Sequence, residues 1–148
     1  ERVGAQGKVL ACDIQSTVTV FPPNVEFHQE DVFRRSEAFE RQLAETGPFH
    51  VVMSDMAPQT TGTKFTDQAR SLELCLEARA VAEKYLVKGG SFVVKIFMGP
   101  DVGELLKGMR PRFARVTSFK PQSSRVESKE TFFVGLGFKG KEADGARD

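Results

Sequence analysis

Apolar residues recur along the chain in short runs rich in β-branched and aromatic side chains, and each run predicts a strand. The clearest run is SFVVKIF at residues 91–97, while KVLACD at 8–13 and FHVVMSD at 49–55 both end in an acid. Weaker runs predict three further strands, at residues 25–28, 114–119 and 131–138.

Amphipathic segments lie between these strands and predict helices. Ser36 is a suitable N-cap for one short helix, and Asp101 can cap another that must end before Pro111. The segment 67–88 predicts the longest helix, with Gly89-Gly90 as its C-terminal stop. Its apolar stripe is formed by Leu74, Ala78, Val81 and Tyr85.

This order of elements predicts an α/β fold around a mostly parallel sheet. The last two strands are joined only by a polar loop, so they are expected to pair antiparallel. The length of 148 residues is typical of one domain, which we predict over residues 1–138, followed by a flexible charged tail over 139–148. Ligands of such sheets bind outside the carboxyl ends of the strands.

Charge changes this picture little. Lysine and arginine number 21 and aspartate and glutamate 20, a formal charge of +1 that excludes a histone-like polycation or an acidic tail. Binding to nucleic acid stays open, because a balanced total can include one basic face.

The cellular compartment is predicted from what the sequence contains. No apolar run approaches a membrane span, and none has the basic-then-apolar pattern expected of a signal peptide. Cys12 and Cys75 lie in separate apolar segments, which predicts two buried thiols in a reducing compartment, hence the cytoplasm. His28 and His50 have no partners at metal-ligand spacing, so no metal site is predicted.

Three aspartates follow predicted strands. Asp13 could accept hydrogen bonds from a nucleoside ribose, or it could be a solvated strand end. Asp31 could meet an adenine amino group, although on its own a cap of the next turn is favoured. For Asp55, in VVMSDMAP, a functional role is favoured over an ordinary turn aspartate, because a carboxylate beside apolar neighbours needs a cation or hydrogen-bond donors nearby.

Lys95 is the strongest single candidate. It lies inside SFVVKIF and shares a strand face with Val93 and Phe97, so a nearby carboxylate is expected. An amine held there can remove a proton from a weakly acidic hydroxyl, whereas the alternative is an edge lysine that reaches solvent. Glu130, at the start of the last strand, would on its own be interpreted as a charge partner for the neighbouring lysine. It becomes a candidate site residue because Lys95 and Asp55 also border apolar strands.

The loop KPQSSRVESKE combines basic residues with serines. Lys120, Arg125 and Lys129 supply positive charge and the serines supply hydroxyl donors, a mixture suited to phosphate contacts along a nucleic-acid backbone. Solvated loops can have the same composition.

Taken in order, the segments ACD, SDMAPQTTGT, GGSFVVKIF and KPQSSRVESKE resemble the FtsJ/RrmJ family of ribosomal-RNA 2′-O-methyltransferases. The resemblance implies a Rossmann-like fold and an S-adenosylmethionine-dependent enzyme that methylates a uridine ribose 2′-hydroxyl in large-subunit ribosomal RNA. Relatives use a Lys-Asp-Lys-Glu tetrad, in which Asp55, Lys95 and Glu130 match the last three members.

Individual roles also follow from the resemblance. Lys95 would be the general base, Asp55 would hold its ammonium, and Glu130 would orient the site. Asp13 would contact the cofactor ribose, Asp31 the adenine and Asp55 the methionyl part. The basic loop, with Lys120, Arg125 and Lys129, would contact RNA.

The family's first strand, its glycine-rich turn and the upstream lysine of the tetrad are expected before Glu1. Without that central strand, the chain would have two open sheet edges, and domain swapping would be one way to close them. The alternative function is therefore a catalytically silent RNA-binding fragment of such an enzyme. A nicotinamide-dependent dehydrogenase ranks last, because it shares the Asp13 feature but does not account for Lys95 with Glu130.

Overall fold

The computed structural model describes residues 2–121 and 129–141. Strands and helices alternate along the chain, which divides into an N-terminal unit, Glu1–Pro48, and a C-terminal unit, Phe49–Asp148. The predicted single domain over 1–138 stays a prediction, and most of the predicted tail, residues 142–148, lies outside the described residues.

The N-terminal unit contains two parallel strands and one helix. Strand β1 (Val9–Asp13) pairs in parallel with β2 (Val25–Gln29), and both strands lie where the apolar runs predicted them. Helix α1 (Glu37–Thr46) begins after Ser36, whose Oγ accepts a hydrogen bond from the Phe39 amide at 3.1 Å. The predicted N-cap is therefore confirmed.

The C-terminal unit contains a four-stranded sheet with the strand order β3-β4-β6-β5. Strands β3 and β4 are parallel, whereas β6 is antiparallel to both β4 and β5. The predicted α/β fold with an antiparallel last strand is confirmed. Its elements are β3 (Phe49–Ser54), α2 (Lys64–Tyr85), β4 (Leu86–Phe97), α3 (Val102–Met109), β5 (Phe113–Phe119) and β6 (Glu130–Phe138).

Helices α2 and α3 cover one face of this sheet and form the core with it. Phe113 packs between Phe92 and Phe138, with ring centroids 6.2 Å and 5.5 Å away. A side chain at Gly135 would come within 2.8 Å of the Phe113 ring, so only glycine leaves room for that ring. Burial of each such phenylalanine stabilises the fold by about 1.5–3 kcal/mol.

The buried stripe of α2 differs from the predicted one. Ala78 and Tyr85 are buried as predicted, but Leu74 and Val81 are only half-buried, and the next residues along the chain, Cys75 and Ala82, are buried in their place. Small side chains on the buried stripe let the helix approach β4 closely, so the bulkier residues misled the prediction. The buried residues of α2 are Ser71, Leu72, Cys75, Ala78, Ala82 and Tyr85.

Helix α2 also begins and ends three residues earlier than predicted. Leu86 is already extended and pairs with Phe49, so Gly89 and Gly90 lie within β4 and do not stop the helix. The register shifts along this stretch, and Gly89 has φ +85°, a conformation that favours glycine.

Two smaller expectations need correction. Cys75 is buried as predicted. Cys12 is exposed, like the neighbouring Asp13 at the end of β1, a strand in which no side chain is buried. Asp101 precedes α3 but makes no capping hydrogen bond with its side chain. Within the described ranges, no helix has the length and apolarity that a membrane span requires.

Candidate active site

Three ionisable side chains meet at the carboxyl ends of β3 and β4. The Lys95 ammonium donates a hydrogen bond to Asp55 Oδ1 at 3.2 Å and lies 3.9 Å from Glu130 Oε1. The Lys95 side chain is 14% exposed, while those of Asp55 and Glu130 are 82% and 43% exposed. The structure thus brings together the three residues predicted for catalysis, here called the Lys95 cluster.

The sheet register explains why these residues meet. Ser54 on β3 pairs with Val94 on β4, so Asp55 leaves the strand beside Lys95. On the other side, Phe97 pairs with Glu130, the first residue of β6. Side chains alternate along β4, so Val94 and Ile96 enter the core while Lys95 points to the opposite face.

Two polar side chains of α2 fix the backbone on either side of Ile96. The Cys75 thiol donates to the Lys95 carbonyl at 3.0 Å, and the Phe97 amide donates to Ser71 Oγ at 3.0 Å. Burial raises the pKa of Cys75 to about 12, so the thiol stays protonated and can donate. Both bonds restrain the strand segment that carries Lys95.

Sequence reasoning missed Ser71 and treated Cys75 only as a buried thiol. Their spacing of four residues places them on one face of α2, and that spacing was the available signal. It was obscured because the apolar stripe was assigned one position away.

A cavity of about 410 Å³ opens beside the Lys95 cluster. It combines apolar surface from β4 with cations and anions from both α2 and the start of β6. Its lining is formed by Gly62, Lys64, Asp67, Gln68, Phe97, Lys129 and Glu130.

Hydrogen bonds hold the walls of this cavity. Gln68 Nε2 donates to the Met98 carbonyl at 2.7 Å. This side chain also lies against Gly99, where an added Cβ atom would be only 2.7 Å from Gln68 Cδ. Asp67 Oδ1 accepts from both the amide and the hydroxyl of Thr61, at 2.8 and 2.9 Å. The hydrogen bond from the Thr61 amide is the main reason why the pKa of Asp67 is lowered.

Two lysines meet at this cavity. Lys64 is the first residue of α2, and Lys129 is held to the end of β4 because its carbonyl accepts from the Met98 amide at 2.7 Å. Lys64 lowers the pKa of Lys129, first through a side-chain hydrogen bond that favours the neutral amine and then through charge repulsion.

The residues predicted to contact RNA, namely Lys120, Arg125 and Lys129, belong to the segment KPQSSRVESKE. Lys120 is exposed and follows β5, while Lys129 is exposed and precedes β6. Since Phe119 pairs with Phe132, both lysines belong to the same end of the sheet. Arg125 lies outside the described residues.

The two acids of the N-terminal unit each bind their own turn. Asp13 Oδ1 accepts from the Gln15 amide and Asp31 Oδ1 from the Phe33 amide, both at 2.9 Å. The second oxygen of each carboxylate has no hydrogen-bond partner in the described part of the chain. Each acid therefore keeps a free acceptor.

Over residues 2–121 and 129–141, no three His, Cys, Asp or Glu side chains come together in a group that could hold a metal ion.

Comparison with protein families gives a match over almost the whole chain. The model of the FtsJ-like methyltransferases matches residues 1–138. The chain is 71% identical over 148 residues to "Ribosomal RNA large subunit methyltransferase E" of Nitratidesulfovibrio vulgaris strain Miyazaki F, covering 100% of the chain and 72% of that relative. Identity to the protein of the same name from Lawsonia intracellularis is 63%, covering 94% and 70%.

Solved structures show the same fold. A ribosomal RNA methyltransferase from Plasmodium falciparum superposes with a TM-score of 0.75 at 24% identity, covering 90% of this chain and 74% of that one. A methyltransferase from Streptococcus mutans, solved in complex with SAH, has a TM-score of 0.54 at 15% identity, covering 88% and 72%.

Proposed function

This chain belongs to the FtsJ-like methyltransferase family, and we propose that it methylates ribosomal RNA of the large subunit. In this proposal the methyl donor is S-adenosylmethionine, the acceptor is the 2′-hydroxyl of a uridine ribose, and the site of action is the cytoplasm. The names of the curated relatives support the RNA substrate.

The observation that carries the proposal is the Lys95 cluster. A ribose hydroxyl is a weak acid and a weak nucleophile, so its methylation needs a base beside the attacking oxygen. Lys95 Nζ is largely buried between two carboxylates, at the carboxyl ends of the parallel strands, where ligands of α/β folds bind.

The residues of this chain have distinct tasks in the proposed reaction. Lys95 Nζ, in its amine form, takes the proton of the 2′-hydroxyl while that oxygen forms its bond to the methyl carbon. Asp55 and Glu130 then hold the resulting ammonium through the contacts of 3.2 and 3.9 Å. The Ser71 and Cys75 hydrogen bonds keep the base in position, which is a large part of catalysis when the methyl group is already activated.

The side chains proposed for the cofactor fit its chemistry. When bound, S-adenosylmethionine supplies a methyl group on a positively charged sulfur, which becomes a neutral thioether as the carbon–sulfur bond breaks. Asp13, with its free acceptor oxygen, suits a ribose diol, and Asp31 suits an adenine amino group. Asp55, which is largely exposed, suits the positively charged methionyl end.

The test is methyl transfer to RNA of known modification state. The protein is incubated with S-adenosylmethionine carrying a labelled methyl group and with unmethylated large-subunit ribosomal RNA, which is then digested and analysed by mass spectrometry. We expect label in one 2′-O-methyluridine. Label on a base, or on a ribose other than uridine, would contradict the proposed acceptor.

A second candidate function is RNA binding without catalysis, because within the described residues the side chains of Asp13, which is exposed, and Asp31, which is half-buried, each bind only their own turn. Calorimetric titration of S-adenosylmethionine into the 148-residue chain separates the two functions. Micromolar binding favours the enzyme, whereas RNA binding without any cofactor binding favours the silent fragment.

A further inference from the structure

Lys64 and Lys129 come from distant parts of the chain and meet at one cavity. Lys64 begins α2 and Lys129 immediately precedes β6, yet both line the cavity of about 410 Å³ beside the Lys95 cluster. Bringing two exposed ammonium groups together is unfavourable unless a ligand compensates for their repulsion.

The acids in the same cavity are already engaged elsewhere. Asp67 accepts two hydrogen bonds from Thr61, and Glu130 lies 3.9 Å from the Lys95 ammonium. In the described part of the chain, neither Lys64 nor Lys129 has a carboxylate within ion-pair distance. In the described part of the chain the two lysines are therefore cations without an ion-pair partner, in a lining that also contains the carboxylates of Asp67 and Glu130.

We infer that Lys64 and Lys129 together bind one phosphate group of the RNA substrate at the mouth of this cavity. The inference rests on the proposed function, which supplies the RNA. A phosphodiester carries a single negative charge on oxygens that accept hydrogen bonds, and lysine ammonium groups bind it as point charges.

The position of this phosphate site fits the reaction. Glu130 lines the cavity and also belongs to the Lys95 cluster, so a phosphate held by the lysines is close to the proposed base. A ribose and its own phosphate are joined directly, and fixing the phosphate restricts where the 2′-hydroxyl can lie. The cavity volume lies within the range of about 300–1,000 Å³ typical of ligand sites.

The pKa of Lys129 is affected by the same proximity, since the neighbouring Lys64 side chain lowers it. The charge of a bound phosphate favours the ammonium form, so binding is expected to raise this pKa again. Replacing Lys64 by methionine removes the cause of the shift and is expected to raise it as well.

The first experiment measures RNA binding by the full chain across salt concentrations, without methyl donor. Variants K64M and K129M are compared with K107M, which removes an exposed lysine of α3 outside the cavity. We expect each cavity variant to bind large-subunit ribosomal RNA about three- to tenfold more weakly, with a salt slope reduced by about 0.7–0.9. K107M is expected to bind like the parent.

The second experiment follows the Lys129 side chain by NMR during titration with base, with and without inorganic phosphate. A rise in the pKa of Lys129 in K64M, and on adding phosphate to the parent, supports a shared site. Equal RNA binding by K64M, K129M and K107M, or a Lys129 pKa unmoved by both changes, would overturn the inference.

The proposed function can fail separately. If the parent transfers no methyl group but K64M and K129M still weaken RNA binding, the phosphate site stands and the enzyme proposal fails. If the parent methylates RNA and all three variants bind it like the parent, the enzyme proposal stands and the phosphate site fails.

Discussion

The N-terminal and C-terminal units hold their candidate residues in different ways. In the C-terminal unit, Lys95 has two carboxylate neighbours, and α2 binds its strand backbone at two points. In the N-terminal unit, Asp13 and Asp31 each accept one hydrogen bond from a nearby turn. One unit presents a prearranged cluster and the other presents separate acceptors.

The difference in packing explains this contrast. Among the described residues, Phe39 and Leu43 are the only buried apolar side chains of the N-terminal unit, whereas the C-terminal unit has a continuous core. A packed core limits side-chain and backbone freedom, so a cluster on its strands keeps its geometry. Chemistry can therefore be inferred from distances in the C-terminal unit, but mainly from residue type in the N-terminal unit.

The largest effect is expected from Lys95→Ala. Loss of the proposed base should lower kcat for methyl transfer by about 10²–10⁴-fold, while the Kd of S-adenosylmethionine stays nearly unchanged. Single-turnover assays and calorimetry measure the two quantities. The matched control is Lys88→Ala, which removes an exposed lysine from the same strand, β4. Retained turnover in Lys95→Ala would show that another group takes the proton.

Asp13→Asn should mainly change the Kd of S-adenosylmethionine, whereas Lys95→Ala mainly changes kcat. The substitution keeps the size of the side chain but removes its charge, and should weaken cofactor binding about ten- to a hundredfold, with a smaller effect on kcat at saturation. Asp101→Asn is the control, because Asp101 is exposed and makes no capping hydrogen bond. Unchanged cofactor affinity in Asp13→Asn would leave the N-terminal unit without its proposed ribose contact.

Sequence patterns predicted the carboxyl ends of the strands to within one residue, and they singled out the three residues that form the Lys95 cluster. Asp55, Lys95 and Glu130 were found because strand alternation and a residue beside an apolar run depend on local sequence alone. The buried line of α2 was misplaced because Ser71 and Cys75 are small, and only contact with β4 reveals their value. Such contacts depend on how a helix approaches a sheet, which periodicity does not specify.

The meeting of Lys64 and Lys129 was also beyond the sequence. The longest helix was expected to begin at residue 67, whereas α2 begins at Lys64 and places it at the cavity. The 64 residues between the two lysines give no local signal for such a contact.

Ser71→Ala tests whether core packing positions the Lys95 cluster. The substitution leaves the Phe97 amide without its acceptor in a buried place, which should cost about 1–3 kcal/mol of unfolding free energy. We expect kcat to fall while the Kd of the cofactor is retained. Urea unfolding and steady-state kinetics measure both effects, with Ser118→Ala, an exposed serine of β5, as the control. A stability loss without any fall in kcat would make Ser71 purely structural.

The smallest effects, on thermal stability, are expected from two carboxylates that hydrogen-bond to a residue just before a helix. Glu30 binds Ser36 before α1 and Asp67 binds Thr61 before α2. Hydrogen bonds from Ser36 lower the pKa of Glu30 from its usual 4.5, and those from Thr61 lower the pKa of Asp67 from 3.8. Their stabilisation is therefore complete above these usual values and is lost as the pH falls through the lower, folded-state values.

Glu30→Gln and Asp67→Asn should each lower the thermal midpoint slightly at pH 7 and make its decline on acidification shallower. Melting curves between pH 7 and pH 3 measure this slope for each variant. Because both carboxylates are accessible to solvent, the shifts should be small, and high salt should affect them little since hydrogen bonds are the main cause. A variant whose acid dependence equals that of the parent would show that its carboxylate has the same pKa in the folded and unfolded chain.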